Sequence, residues 1–264
     1  MWDSQDISEF DMFLLKTNKV EASSLEGLSY KERKITNKKA IELSIKPIQG
    51  NFDYKHLKDI HKYLFEDIYT WAGQDRLEIG LNAKFGNKFD KMDKNGLVTH
   101  FTHTDQVSKF ANEIFDNLRK ENNFSGLNID KFTEKSANFL MKLNTLHPFR
   151  EGNGRTQRIF LNQLAENAGY KMDLNLIDKE TFTEAVTMAS RDSNPKPLEA
   201  LIKENLESFK ENLTKSQKEP KITISEDGTP IMSKKFAKEL EKKFAEQDTD
   251  KTGIEIWERI KNGF

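Results

Sequence analysis

The stretch that decides how this sequence folds is Leu146-His147-Pro148-Phe149-Arg150-Glu151-Gly152-Asn153-Gly154-Arg155-Thr156-Gln157-Arg158. Apolar residues at helical spacing lie on both sides of it, so the stretch is predicted to join two helices, the second beginning at or just after the glycines. The two glycines let the backbone turn tightly and come close to a ligand. Free N–H groups at the start of the second helix would form a binding site for an anion.

The polar residues of this stretch supply groups that chemistry at phosphate requires. Arg155 and Arg158 are three residues apart, hence on one helical face, where both can fork onto phosphate oxygens. Glu151 offers a hard oxygen ligand for Mg²⁺, and His147 is a titratable base at the entrance of the loop. Each residue alone has an ordinary structural explanation, such as a turn or a surface ion pair. A plain helix connection, however, needs neither two arginines nor a histidine.

Residues 147–158 match the Fic signature, His-x-Phe-x-(Asp or Glu)-Gly-Asn-Gly-Arg-x-x-Arg, at every fixed position. The segments from Gly50 to His61 and from Leu64 to Gly73 also resemble the helix that precedes the flap in this family. The resemblance covers roughly residues 20–205. It implies an all-α fold: a helical Fic core with a small β-hairpin flap, followed by a helical C-terminal extension.

Four segments are predicted along the chain. Residues 1–48 are expected to form an N-terminal helical segment that packs on the core. Residues 49–206 are expected to form the catalytic core, with the flap at about 76–90. Residues 207–232 are expected to form a linker, and within them Lys215 to Pro230 mixes Lys, Glu, Ser, Gly and Pro, which indicates a linker or a weak hairpin. Residues 233–264 are predicted to be a helical extension.

Fic enzymes of the form that this motif resembles transfer AMP from ATP to a hydroxyl group of another protein. The resemblance implies that His147 takes the proton from that hydroxyl, that Glu151 holds Mg²⁺ and that Phe149 anchors the loop. It implies nucleotide binding for a wider set of residues: Gly152, Asn153, Gly154, Arg155, Arg158, Leu81 and Asn82. Phosphate-transferring relatives carry Lys in place of Gly154, so the glycine favours AMP transfer.

The flap of the family holds the target protein by strand-like pairing, which needs an exposed edge more than particular side chains. Ile79 and Phe85 fall on the apolar flap positions of the family, whereas Leu81 and Asn82 stand where many relatives carry Lys-Gly. Two other functions stay open. One is a catalytically silent relative that only binds a protein through its flap, and the other is transfer of a different phosphorylated group.

Regulation is the second property that the resemblance addresses. The segment from Leu25 to Leu28 is similar to the first helix of toxin-type members, which are inhibited by a separate small antitoxin and modify type II topoisomerase subunits. These are therefore the partners that the resemblance implies. Glu26 is the alternative, an inhibitory group within the chain. The family pattern needs Ser or Thr four residues before that Glu, and Ala22 stands there.

Composition excludes several other classes. The 42 basic and 43 acidic residues nearly balance, which argues against a nucleic-acid grip. Cys is absent, which excludes a disulfide framework and a thiolate zinc site. No secretory signal and no membrane-spanning apolar run is visible, so we expect a cytoplasmic protein without a membrane partner. Structural or surface roles are expected for the histidines outside the motif: His56, His61, His100 and His103.

Overall fold

The computed structural model describes residues 9–81, 91–92, 96–216, 222–224 and 230–232. The α-helices among these residues, in chain order, are α1 (Glu9–Thr17), α2 (Leu25–Ile45), α3 (Tyr54–Phe65), α4 (Val107–Lys120), α5 (Ile129–Leu146), α6 (Asn153–Asn167), α7 (Lys179–Asp192) and α8 (Lys196–Ser216). The strands are β1 (Lys91–Met92), β2 (Val98–Thr99), β3 (Ile222–Ile224) and β4 (Pro230–Met232). The predicted extension at 233–264 lies outside the described residues.

Contacts between residues divide the chain into two units, Met1–Glu207 and Ser208–Phe264. In the first unit, α3 packs on α6, and α5 packs on α4, α6 and α7. Apolar side chains at spacings of three and four form the core, and in α3 they are Leu57, Ile60 and Leu64, all fully buried. The loop between α5 and α6, which carries the motif, is therefore placed among the central helices of this unit.

The ends of the two helices around the motif follow local hydrogen bonding. The side chain of Asn128 accepts from the N–H of Lys131 and caps α5. Asp130 lies in the first turn of α5. At the other end of the loop, α6 begins at Asn153, directly after Gly152. The predicted start of this helix is therefore confirmed.

Among the residues that the structure describes, the strand pairing near the flap lies beyond the predicted bounds of about 76–90. Residues 76–80 form turns rather than a strand, because the carboxylate of Asp75 accepts from the N–H groups of Leu77 and Glu78, both at 3.0 Å. The pairing that the structure shows is antiparallel, between β1 and β2, and is only two residues long. Asn82 and Phe85 lie outside the described residues.

Helix α2 in the N-terminal segment contributes polar as well as apolar residues to the interior. It contacts α1, α3 and α6. Its buried residues fall at spacings of three and four along one face: Leu28, Glu32, Thr36, Lys39 and Leu43. A buried carboxylate and a buried hydroxyl therefore lie on the face of α2 that packs into the core.

The segment after the catalytic core begins as a helix. Residues 207–216, which the sequence assigns to a linker, continue α8, and β3 then pairs antiparallel with β4. A hairpin, one of the two structures that the sequence predicts there, is therefore present. No helix in the described part of the chain combines the length and the apolar composition that a membrane span requires.

Candidate active site

His147 ends α5 in the left-handed conformation, with φ of 44° and ψ of 59°. Positive φ is uncommon for a residue other than glycine and is often found at active sites. Buried Arg76 donates hydrogen bonds to the residues on both sides of His147. Its guanidinium donates to the carbonyl of Leu146 at 3.1 Å, and its backbone N–H donates to the carbonyl of Pro148 at 2.8 Å. The His147 ring lies 4.0 Å from the ring of Phe101. The predicted base is thus held at a bend fastened on both sides.

The loop after His147 is closed by Asn153. Its side-chain oxygen accepts from the N–H of Phe149 at 3.0 Å, and its side-chain nitrogen donates to the carbonyl of Phe149 at 2.8 Å. The side chain of Phe149 is buried in the core. Both polar atoms of the Asn153 side chain are therefore occupied by the loop itself, which leaves its backbone N–H for a ligand.

The first turn of α6 offers backbone donors. The first backbone bond of this turn runs from the N–H of Thr156 to the carbonyl of Gly152, at 3.1 Å. Within the described residues, the N–H groups of Asn153, Gly154 and Arg155 have no partner. Open N–H groups and the positive end of the helix dipole together favour an anion.

The two glycines beside these donors differ in why the chain needs them. Gly152 has φ of +82°, and a Cβ there would lie 2.2 Å from the ring of Phe65. A Cβ on Gly154 would meet no atom within 4 Å, and its φ is not positive. The fold therefore requires the first glycine, whereas the second leaves open space over the N–H groups.

Arg158 is a partly buried cation one turn further along α6. Its guanidinium carbon lies 4.1 Å from the centroid of the Phe182 ring, and its buried Nε has no hydrogen-bond partner among the described residues. Burial, and next the charge of Arg155, lowers the pKa of Arg158 to about 10, so it remains charged at neutral pH. A partly buried cation without an ion pair is suited to bind an anionic ligand.

Arg155, by contrast, already has protein partners. One terminal nitrogen donates to the hydroxyl of Thr36 at 3.0 Å. The other donates to Glu32 at 2.5 Å and to Glu151 at 3.3 Å. A guanidinium carries five N–H groups, so these three contacts leave two for a ligand. The arginine is therefore held against α2 and is still able to donate.

Glu151, the predicted metal ligand, is more accessible than Glu32, the other acid that contacts Arg155. One carboxylate oxygen accepts from the N–H of Gly152 at 2.8 Å, and the side chain is 40% exposed. Its backbone carbonyl accepts from Nε2 of His61 at 3.1 Å. Among the described residues there is no group of three or more acidic or histidine side chains able to hold a metal ion.

Comparison with known proteins identifies this arrangement. Residues 51–165 match the sequence profile of the Fic/DOC family. This region is a Fic domain. The chain is 37% identical over 174 residues to the protein adenylyltransferase VbhT of Bartonella schoenbuchensis. The aligned region spans 66% of this chain and 33% of that relative. It is 31% identical over 189 residues to a protein adenylyltransferase of Bartonella henselae, across 71% of this chain and 35% of the relative. The matched region is thus about a third of each relative.

Solved structures share the fold of the Fic domain. The BepC protein of Bartonella tribocorum with bound AMPPNP matches with a TM-score of 0.60 at 26% identity, over 71% of this chain and 90% of that one. The N-terminal Fic domain of a cell filamentation protein from Bartonella quintana with bound ADP matches with a TM-score of 0.61 at 29% identity, over 71% and 88%. The predicted all-helical Fic fold is therefore confirmed.

The residues predicted outside the motif of the Fic domain are placed as follows. Leu81 is buried, and its N–H donates to the carbonyl of Arg76 at 2.9 Å. Ile79 is half-buried and packs against the core. Glu26 is exposed in the first turn of α2 and pairs with no motif arginine in the described part of the chain. The nucleotide and target contacts of the flap stay predictions.

The residues that support the motif were not predicted from the sequence to do so. Glu32 pairs with Arg155, and Tyr69 donates to Glu32. Arg76 and His61 donate to the backbone carbonyls of Leu146 and Glu151. A signal for Glu32 existed, because it lies four residues from both Leu28 and Thr36 in the stripe of α2 that becomes buried. The spacing alone could not reveal that this stripe faces the motif.

Proposed function

We propose that this chain is a protein adenylyltransferase, which transfers AMP from ATP to a Tyr, Thr or Ser hydroxyl of another protein and releases diphosphate. The observation that carries the proposal is the start of α6. There the N–H groups of residues 153–155 have no partner in the described part of the chain, and Arg158 in the next turn has no ion pair there. Relatives named protein adenylyltransferase, and structures of Fic domains with bound AMPPNP or ADP, support it.

The chemistry follows from the positions of these groups. A target hydroxyl attacks the α-phosphorus while His147 accepts its proton, so that the new oxygen–phosphorus bond forms without a separate alkoxide. The bond from the α-phosphorus to the bridging oxygen breaks, and its electron pair leaves with diphosphate. The open N–H groups of α6 and the charge of Arg158 stabilise the phosphate oxygens, as is usual for transfer at phosphorus.

Glu151 is the residue that would hold Mg²⁺. Mg²⁺ in nucleotide sites is commonly bound by one or two carboxylates plus substrate phosphates and keeps several waters. An accessible carboxylate beside an anion-binding helix start fits that mode of binding. When bound, the ion would neutralise charge on the phosphate oxygens.

The partners belong to the same proposal. We place the target protein on the flap around Ile79 and the paired strands β1 and β2, where main-chain pairing could hold it, and assign Leu81 and Asn82 to the nucleotide side. Toxin-like activity in the cytoplasm, control by a separate antitoxin and a type II topoisomerase subunit as target rest on the resemblance at Leu25 to Leu28. The exposure of Glu26 supports control by a separate protein.

The test uses ATP labelled at two positions. Purified protein is incubated with Mg²⁺, purified type II topoisomerase subunits or a cell extract, and ATP labelled at either the α- or the γ-phosphate. The proposal expects label on a protein only from α-labelled ATP. Label from γ-labelled ATP would indicate phosphate transfer instead. Nucleotide binding by calorimetry, without label on any protein, would favour the catalytically silent alternative.

A further inference from the structure

Glu32 stands apart from the other acids near the motif because it is buried. Its side chain is 9% exposed, against 40% for Glu151. One of its carboxylate oxygens accepts from Arg155, and the other accepts from the hydroxyl of Tyr69. A buried carboxylate is tolerated only when it is paired and hydrogen-bonded, so this residue is committed to its two partners.

Tyr69 fixes the far side of that carboxylate. Its ring is buried and stacks on Trp71, with centroids 4.5 Å apart. Burial, and next the charge of Glu32, raises the pKa of the Tyr69 hydroxyl, so the hydroxyl keeps its proton and donates it. On the same side of α2, the Thr36 hydroxyl donates to the carbonyl of Glu32 at 2.9 Å and accepts from Arg155. Four groups thus form one connected network.

This network could either block Arg155 or orient it. A blocking acid must occupy the N–H groups that a phosphate would use and must be able to leave. Glu32 is held by a buried tyrosine on a packed helix face, and it contacts only one of the two terminal nitrogens of Arg155. Arg158, the other motif arginine, forms no ion pair with an acid among the described residues. The geometry favours orientation.

We propose that Glu32, held by Tyr69, is a positioning residue that orients Arg155 toward the phosphates of the nucleotide. Glu32 does not touch the substrate and acts only through the arginine. The inference rests on the proposed function, because it assumes that Arg155 contacts the β- or γ-phosphate. It predicts that the effect of Glu32 depends on the number of phosphates in the nucleotide.

The chain offers a matched control on the same helix. Glu42, ten residues further along α2, also accepts from a tyrosine hydroxyl, that of Tyr63 at 2.7 Å. It pairs with Lys38 at 3.9 Å rather than with a motif residue. Glu42→Gln therefore removes the same charge from the same helix and weakens the same kind of tyrosine contact, without disturbing Arg155.

The experiment compares the wild-type protein with Glu32→Gln, Tyr69→Phe and Glu42→Gln. AMP transfer rates, thermal melting, and binding of ATP, ADP and AMP by calorimetry are measured for each. We expect Glu32→Gln to lower the transfer rate and the ADP and ATP affinities about ten- to a hundred-fold, the range of a charge-assisted hydrogen bond, and to leave AMP affinity unchanged. Tyr69→Phe should act in the same direction with a smaller effect, and Glu42→Gln should have none.

A second background separates positioning from general stability. With Arg155→Ala present, adding Glu32→Gln should change neither the transfer rate nor ADP affinity further, because residues that act as one unit are not additive. A further loss in that background would overturn the inference, as would a faster or unchanged rate for Glu32→Gln alone. If Glu32→Gln melts early, Tyr69→Phe decides. If the wild type transfers no AMP, the proposed function fails, and the ADP-against-AMP split still decides the role of Glu32.

Discussion

The ring of His61 lies flat on the ring of Phe149, with centroids 3.8 Å apart and planes 12° apart. Nδ1 of His61 accepts from the N–H of Gly73 at 2.9 Å, which assigns the proton to Nε2, the atom that donates to the carbonyl of Glu151. The residue is fully buried, and burial lowers its pKa to about 3. A neutral imidazole therefore ties the end of α3 to the motif loop.

The first prediction concerns how the free energy of unfolding depends on pH. Below pH ~6.5 the unfolded chain protonates His61 while the folded chain does not, so protonation favours the unfolded state. The contribution of neutral His61 to the free energy of unfolding is therefore complete above pH ~6.5 and is lost as the pH falls toward 3. The loss between pH 6.5 and 5 amounts to about 2 kcal/mol at most. Urea unfolding of the metal-free protein from pH 5.0 to 7.5 measures it. His61→Phe should flatten the curve, whereas exposed His103→Gln should keep the wild-type slope. Equal slopes for all three proteins would contradict the assignment.

Loss of the base should separate chemistry from binding. His147→Ala should reduce AMP transfer by about 10²–10⁴-fold, because the attacking hydroxyl loses its proton acceptor. ATP affinity and melting temperature should change little, since the anion-binding groups lie in α6. Labelled-AMP transfer and calorimetry on the same samples check both expectations. Full transfer by this variant would rule out the mechanism.

Arg158→Ala should weaken ATP far more than AMP. The resemblance assigns its guanidinium to the terminal phosphates, and a charge-assisted contact of this kind contributes roughly 1.5–3 kcal/mol, or one to two decades in affinity. Calorimetry with ATP, ADP and AMP measures the difference. Arg119→Ala serves as the control, because Arg119 is exposed and pairs with Asp116 at the surface. Equal weakening of all three nucleotides would mean that Arg158 supports the fold alone.

The two glycines of the loop should respond in opposite ways. Gly152→Ala should destabilise the protein, because alanine is strained at φ of +82° and its Cβ would overlap Phe65. Gly154→Ala should raise stability by about 0.5–1 kcal/mol, as is usual for alanine in a helix, and should still weaken ATP binding by crowding the open N–H groups. Thermal melting and calorimetry test the pair. Unchanged ATP affinity in Gly154→Ala would remove the α6 start from the nucleotide site.

Glu26→Ala tests whether the chain inhibits itself. Glu26 is exposed in the first turn of α2, so its removal should leave the initial AMP-transfer rate at saturating ATP unchanged. Alanine is chosen because it preserves helix propensity. A rise of tenfold or more, about 1.4 kcal/mol in barrier, would show that Glu26 inhibits and would displace the separate antitoxin from the proposal.

Much of the fold could be predicted from the sequence because it depends on local order. The spacing of Leu57, Ile60 and Leu64 specifies a buried helix face, and Gly152 marks the turn before α6. The motif residues are consecutive, so whatever conformation the loop adopts, they remain within one short segment. The domain family followed from the order of these residues alone.

The supporting residues were decided only by tertiary packing. Glu32 is separated from Arg155 by 123 positions, and Arg76 from Leu146 by 70, and nothing in either neighbourhood indicates the partner. A carboxylate at such a helical spacing is as compatible with a solvated surface position as with a buried one. Its burial depends on which face of α2 meets α6, and that is set by the fit of whole helix surfaces. The order of the motif residues along the chain therefore indicated the kind of chemistry. The contacts that hold the motif side chains in place formed only when distant helices packed together.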